Sequence, residues 1–167
     1  IGMPGATAPE AGDVQPRHGE GHELYLRSIA FGMDNAPNSE ATDLLERSVQ
    51  LDPGFAPAWT QLGRRYYIGA SYGREGSAAY QKSEDAFQRG LALDPDAADA
   101  ADGLVSHLTE KGDLRAAYSV ATRLRARQPN SKAGHRALGY VYRFAGLHQL
   151  SAQHAEAALG IDCDGAL

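Results

Sequence analysis

From residue 22 onward, apolar and small residues fall three or four apart in short runs. Examples are Ala41, Leu45 and Ser48; Trp59, Leu62 and Tyr66; Ser83, Phe87 and Gly90; Ala117, Ala121 and Leu124; and Leu138 and Tyr142. That spacing puts each run on one face of a helix. Alternate runs close on a common phrase: Leu51-Asp52-Pro53, Leu93-Asp94-Pro95, Arg127-Gln128-Pro129 and a degenerate Ile161-Asp162-Cys163. Proline cannot continue a helix and biases the residue before it away from helical backbone, so each phrase marks a helix end. The pattern predicts eight helices and no sheet, near residues 22–33, 39–51, 57–68, 77–93, 97–111, 113–127, 131–145 and 147–160. Pro95 and Pro129 lie 34 residues apart, as do Pro129 and Cys163, whereas Pro53 and Pro95 lie 42 apart, one period plus eight residues.

A period of 34 with Trp59, Leu62, Gly63 and Tyr66 spaced W-x2-L-G-x2-Y resembles the tetratricopeptide repeat. The second helix of that repeat continues in Ser83, Phe87, Gly90 and Pro95. The third copy reads Leu104, Leu108, Ala117, Ala121, Leu124 and Pro129. The fourth reads Leu138, Gly139, Tyr142, Ser151, Ala155 and Ala158. Val105 and Leu124 stand where small residues are usual, and Cys163 replaces the last proline. The resemblance covers residues 22–162. It implies an all-α fold, a right-handed α-solenoid of about four helix-turn-helix repeats. The expected divisions are a flexible arm at 1–21, a repeat domain at 22–162 (repeats 22–53, 54–95, 96–129 and 130–163) and a tail at 163–167. Each helix pair, A then B, cannot bury its apolar face alone and must stack on its neighbours. Trp59 is expected largely buried between helices A and B of the second repeat, near Phe87. The extra residues, Gly69-Ala70-Ser71-Tyr72-Gly73-Arg74-Glu75-Gly76, read as an exposed loop between those helices.

The family's groove-facing positions on each A helix imply a concave surface of Thr60, Gln61, Arg64 and Tyr67, then Asp99, Asp102, Ser106, Thr109 and Glu110, then Arg136, Tyr140, Arg143 and Phe144. Arg64, Tyr67, Asp99, Asp102, Arg136, Tyr140 and Arg143 are the candidate partner-binding residues, since Arg and Tyr combine contact area with fixed donors. Domains of this family that clamp a carboxylate with Lys and Asn carry other residues than the Thr60, Arg64 and Gly103 found here, so that clamp is not expected.

Composition narrows the function. The net charge of −5 argues against a nucleic-acid surface. No run approaches the length of a membrane span, and Ile1–Gly21, rich in Gly and Pro, has no apolar core of a signal peptide. The chain begins with Ile and is read as a piece of a longer protein or a processed one. No catalytic, metal or cofactor motif is found. His18 and His22 have helical spacing but no third ligand, and Asp94, Asp96, Asp99 and Asp102 sit where acids cap helix starts. The lone Cys163 has no catalytic partner.

The expected function is a non-enzymatic protein–protein interaction scaffold that binds a peptide or protein in the groove, with the cytoplasm favoured as its compartment. Glu23-Leu24-Tyr25-Leu26-Arg27, Ala58-Trp59 and Arg65-Tyr66-Tyr67 also resemble repeat regions of bacterial signalling proteins that carry Ser/Thr kinase, winged-helix or cyclase domains. That implies an alternative, a regulatory or sensor module of a larger protein that binds a peptide or small ligand. Leu147, Leu150, Leu159 and Ile161 would leave an uncovered apolar stripe on the last helix, which predicts either further repeats or self-association through the C-terminal helix pair.

Overall fold

The structure, a computed structural model, describes residues 15–32, 35–72 and 76–164, and among these the regular elements are all α-helices. They are α1 (Gly19–Ile29), α2 (Asn35–Leu51), α3 (Ala56–Tyr72), α4 (Gly76–Leu93), α5 (Ala98–Glu110), α6 (Leu114–Arg127), α7 (Lys132–Phe144) and α8 (His148–Asp164). None is long and apolar enough to cross a membrane. The odd-numbered helices are the A helices and the even-numbered ones the B helices. Each helix packs on its neighbours in the chain, and the A helices also touch one another, α3 with α5 and α5 with α7. No two B helices among the described residues meet to that degree. A stack whose A helices lie closer together than its B helices is concave on the A side.

Local chemistry sets the helix ends. The His18 Nδ1 accepts the Gly21 N–H at 3.2 Å and caps α1, so the helix starts inside the segment read as a flexible arm; residues 1–14 lie outside the described residues. Asp113 and Ser131 cap α6 and α7 in the same way. Gly112 and Gly146, one period apart, follow α5 and α7 with φ of 90° and 75°, backbone that glycine adopts without a Cβ penalty. With no proline at position 163, α8 runs to Asp164, beyond the expected stop.

Five of the eight inserted residues are helical rather than part of the expected loop. Gly69 to Tyr72 complete the last turn of α3, and α4 begins at Gly76; residues 73–75 lie outside the described residues. The insertion therefore lengthens the second helix pair to 17 and 18 residues, against 13 and 14 in the third. Ala70, Ser71 and Tyr72 have no helix-breaking chemistry, so the helix continues.

Two packing devices join the repeats. The Phe87 ring sits in a slot between glycines: a Cβ on Gly63 would come within 2.8 Å of it, and one on Gly103 within 2.4 Å. The small residue that receives Phe87 from the third repeat is thus Gly103, which leaves room for Val105 in the core. The B-helix serines also do more than stay small. Ser83 Oγ donates to the Gly63 carbonyl at 2.9 Å and Ser151 Oγ to the Gly139 carbonyl at 2.9 Å. In the third repeat Val105 and Ala117 stand at these positions, both buried, and Ala117 has no hydroxyl to donate.

Arg65 locks the first repeat to the second. It is 2% exposed, and its guanidinium donates to the carbonyls of Ser28, Phe31 and Gly32 at the end of α1, at 3.0, 3.0 and 2.6 Å. The Ser28 carbonyl also accepts the Phe31 N–H at 3.3 Å, and a fixed cation suits the negative end of a helix.

Trp59 departs from expectation. It is half-buried and packs against a cluster of Leu45, Val49, Phe55, Ala58, Leu62 and Ala86, whereas Phe87 belongs to the larger core of the third and fourth repeats. Its indole N–H donates to the Pro53 carbonyl at 3.1 Å. The ring lines a cleft of about 520 Å³ between α2 and α4 on the convex side. The spreading of the B helices leaves one face of the ring open.

Candidate binding groove

The A-helix face is organised around α5. Glu110, at the last residue of α5, accepts a hydrogen bond from Tyr67 of α3 on one carboxylate oxygen and from Tyr140 of α7 on the other, the latter at 2.8 Å. One carboxylate thus ties three A helices together. Nearer the start of α5, Asp102 pairs with Arg136 of α7 at 3.2 Å. Arg143 lies over the ring of Tyr140, 4.9 Å from its centroid, and beside exposed Phe144 at 5.4 Å. Burial, followed by the bond to Glu110, pushes the phenols of Tyr67 and Tyr140 up, so both remain donors at neutral pH.

The structure brings together Tyr67, Asp102, Arg136, Tyr140 and Arg143 of the seven candidate residues. Arg64 is half-buried on α3, and Asp99 is exposed in the first turn of α5. Two groove assignments made from repeat position are corrected. Thr60 is buried, with its hydroxyl donating to the Ala56 carbonyl at 3.1 Å, and Thr109 is buried at 2% exposure. Neither is open to the groove. Asp94 and Asp96 have structural roles, though not as caps of α5, whose N-cap Ala97 makes no side-chain bond: Asp94 accepts the Asp96 N–H, and Asp96 holds Arg127 through two bonds of 2.7 and 2.9 Å.

At the rim where α3, α4 and α5 meet lies a cluster that the repeat pattern did not point to. A cavity of about 450 Å³ is lined by Tyr80, Gln81, His107, Glu110 and Lys111. The rings of Tyr67, Tyr80 and His107 pack together with centroids 5.7 to 6.5 Å apart. His107 Nε2 lies 3.3 Å from Glu84, which also accepts from Lys111 at 2.9 Å. The Lys111 hydrogen bond holds Glu84 below the usual carboxylate range, while burial holds the His107 imidazole below its own. A neutral His107 therefore donates from Nε2 to Glu84 and leaves Nδ1 as an acceptor. The Tyr67-to-Tyr80 spacing reveals nothing on its own, because it crosses the eight-residue insertion.

Among the described residues, no three His, Cys, Asp or Glu side chains converge as a metal site. His135 and His154 do meet, with Nδ1 atoms 3.0 Å apart between α7 and α8.

Solved structures share this arrangement. The crystal structure of MamA superposes with a TM-score of 0.68 at 23% identity, covering 87% of this chain and 80% of that one. MamA from Desulfovibrio magneticus RS-1 gives 0.61 at 17% identity, covering 85% and 73%. With eight paired helices, the 34-residue period and these superpositions together, the architecture is settled. The fold is a tetratricopeptide-type helical solenoid. No protein-family model and no curated protein matches the chain. Within the tetratricopeptide frame the groove is the row of A helices α3, α5 and α7, and Glu110 stands at its centre.

Proposed function

We propose that the chain is a protein-interaction scaffold that receives a peptide or protein segment along the A-helix face. The observation that carries this reading is the bridging of α3, α5 and α7 through Glu110, which fixes Tyr67 and Tyr140 beside exposed Arg143 and Phe144. Aromatic and Arg side chains that are already held in place lose little freedom on binding, so contacts to them give more net affinity. The reading is of a binder rather than an enzyme. The groove phenols are kept protonated, which suits them to donate hydrogen bonds rather than to exchange protons. The net charge of −5 favours a protein partner over nucleic acid. A sensor module within a larger signalling protein would use the same groove and differ only in what is attached to it.

Selection of peptides from a random displayed library, followed by calorimetric titration, tests the proposal. Arg136→Ala combined with Arg143→Ala is expected to weaken the selected peptides about tenfold or more, with an unchanged circular-dichroism melt, since exposed charge pairs add little stability. Selected peptides that bind the double variant and a Tyr140→Ala variant as well as the parent would place the site elsewhere and overturn the proposal.

A further inference from the structure

The cavity at the α3–α4–α5 rim has a specific chemistry. Glu110 lines it, and each of its carboxylate oxygens accepts one tyrosine hydroxyl, from Tyr67 and from Tyr140. A carboxylate has about four lone-pair directions, so one on each oxygen remains for a further donor. Both tyrosine partners are neutral, and among the described residues no cation bonds Glu110. The other charges nearby are already matched: Lys111 by Glu84 at 2.9 Å, Arg136 by Asp102 at 3.2 Å. Arg143 is stacked on Tyr140 and not directed to a carboxylate by any bond, so it occupies the α7 side of Glu110 and leaves the cavity side. The cavity wall supplies the Tyr80 ring and His107, which is 2% exposed and whose Nδ1 has no hydrogen-bond partner in the protein. A carboxylate with a free lone pair on each oxygen beside an aromatic face makes a site for a flat, donor-rich cation.

We propose that this cavity takes an arginine side chain of the partner, its guanidinium fork donating to both oxygens of Glu110 and its plane lying against Tyr80. The proposal rests on the groove reading above and names the residue that the groove selects. A guanidinium matches two parallel acceptors and stacks on an aromatic ring, whereas an ammonium does neither as well. Tyr67 acts as a positioning residue, since its hydroxyl fixes the carboxylate from the α3 side. The polarity is the reverse of a site that clamps a carboxylate with lysine.

The test uses the full chain and three blocked tripeptides, Ac-Ala-Arg-Ala-NH2 and its lysine and citrulline counterparts, followed by two-dimensional NMR of the 15N-labelled protein. The arginine peptide is expected to give saturable shifts at Tyr80, His107 and Glu110. Citrulline, the same shape without the charge, is expected to bind at least tenfold more weakly, and lysine to fall between them. Glu110→Gln is expected to abolish the arginine response in a protein that keeps its folded amide spectrum, while Tyr67→Phe weakens it. Absence of saturation with the arginine peptide, an equal response to citrulline, or an unaltered Glu110→Gln variant overturns the proposal. If library-selected peptides bind the A-helix face yet show no enrichment of arginine, the cavity proposal fails and the groove reading stands.

Discussion

Arg65 shows how much one side chain can carry in a stack of small repeats. Burial, and then the neighbouring charge of Arg64, lowers its pKa, yet three carbonyls at the end of α1 hold the guanidinium in place. Arg65→Leu removes all three bonds, two of them to carbonyls beyond the last residue of α1. The expected loss is roughly 2–4 kcal/mol in a urea titration, since hydrogen bonds to a charged group are strong and unmade buried bonds are costly. A loss under about 1 kcal/mol would show that solvent already serves the end of α1. Trp59 is the opposite case. Its identity in the repeat pattern suggested a core residue, but the ring sits at a cleft edge with its indole tied to Pro53. Trp59→Ala is therefore expected to cost roughly 1–3 kcal/mol in the same titration, below the usual cost of emptying a sealed aromatic site. The repeat signature specified that Trp59 packs; it did not specify how far α2 and α4 spread around it. Likewise the pattern asked only for small residues at Ser83 and Ser151, and the hydroxyl bonds to Gly63 and Gly139 become visible only in three dimensions.

At the scale of elements, helix ends were legible because proline, glycine and capping residues act locally. Pro53, Pro95 and Pro129 stop α2, α4 and α6 close to where they were expected. The insertion was misjudged because glycine count suggested a loop, while Gly69 is tolerated inside a helix that packs along its length. The candidate groove was legible in part for a related reason: repeat position gives direction, not partner. Tyr67, Asp102, Arg136 and Tyr140 were placed by it, but the His107–Glu84–Lys111 group depends on contacts across the insertion. The α7–α8 pair carries its own consequence. Burial, then the charge of Arg125 on α6, lowers the pKa of both His135 and His154, with each ring also beside an aromatic neighbour or the other imidazole. A hydrogen bond between two Nδ1 atoms needs one of them unprotonated. Depressed folded pKa values mean that the unfolded chain binds more protons as pH falls below about 6.5, so stability rises with pH through that window and is lost toward acid. His107 acts in the same sense. Urea midpoints at pH 7.5 and pH 5.5 are expected to differ less in His135→Gln combined with His154→Gln than in the parent. An identical pH dependence in both would remove the histidine pair as its source.

For the whole molecule, a solenoid has nearest-neighbour stability and no single centre, so helices with a neighbour on each side are held more strongly than those at an end. In the described structure α8 packs on α7 and on no other helix to a comparable degree. Leu150 and Leu159 are exposed, Leu159 at 67%, together with Leu147 in the turn before it, and among the described side chains of α8 Ala158 is the one buried hydrophobic. Leu159 stands one period after Arg125, which packs against Gly134 of the following A helix, so it occupies a seat that α8 offers and no described helix fills. Native-state hydrogen exchange is expected to show α8 amides opening at a lower free energy than those of α5, whose faces are covered by α3, α4, α6 and α7. The expected self-association through the C-terminal helix pair makes a distinct demand on the same experiment. Protection of α8 should then rise with protein concentration, in step with the mass from light scattering, and Leu159→Glu should cancel both changes without lowering the urea midpoint, because an exposed side chain contributes little to the monomer. Protection in α8 that equals α5 at every dilution, from a strict monomer, would mean that α7 alone holds α8 as firmly as four neighbours hold α5, and would overturn the expected stability gradient.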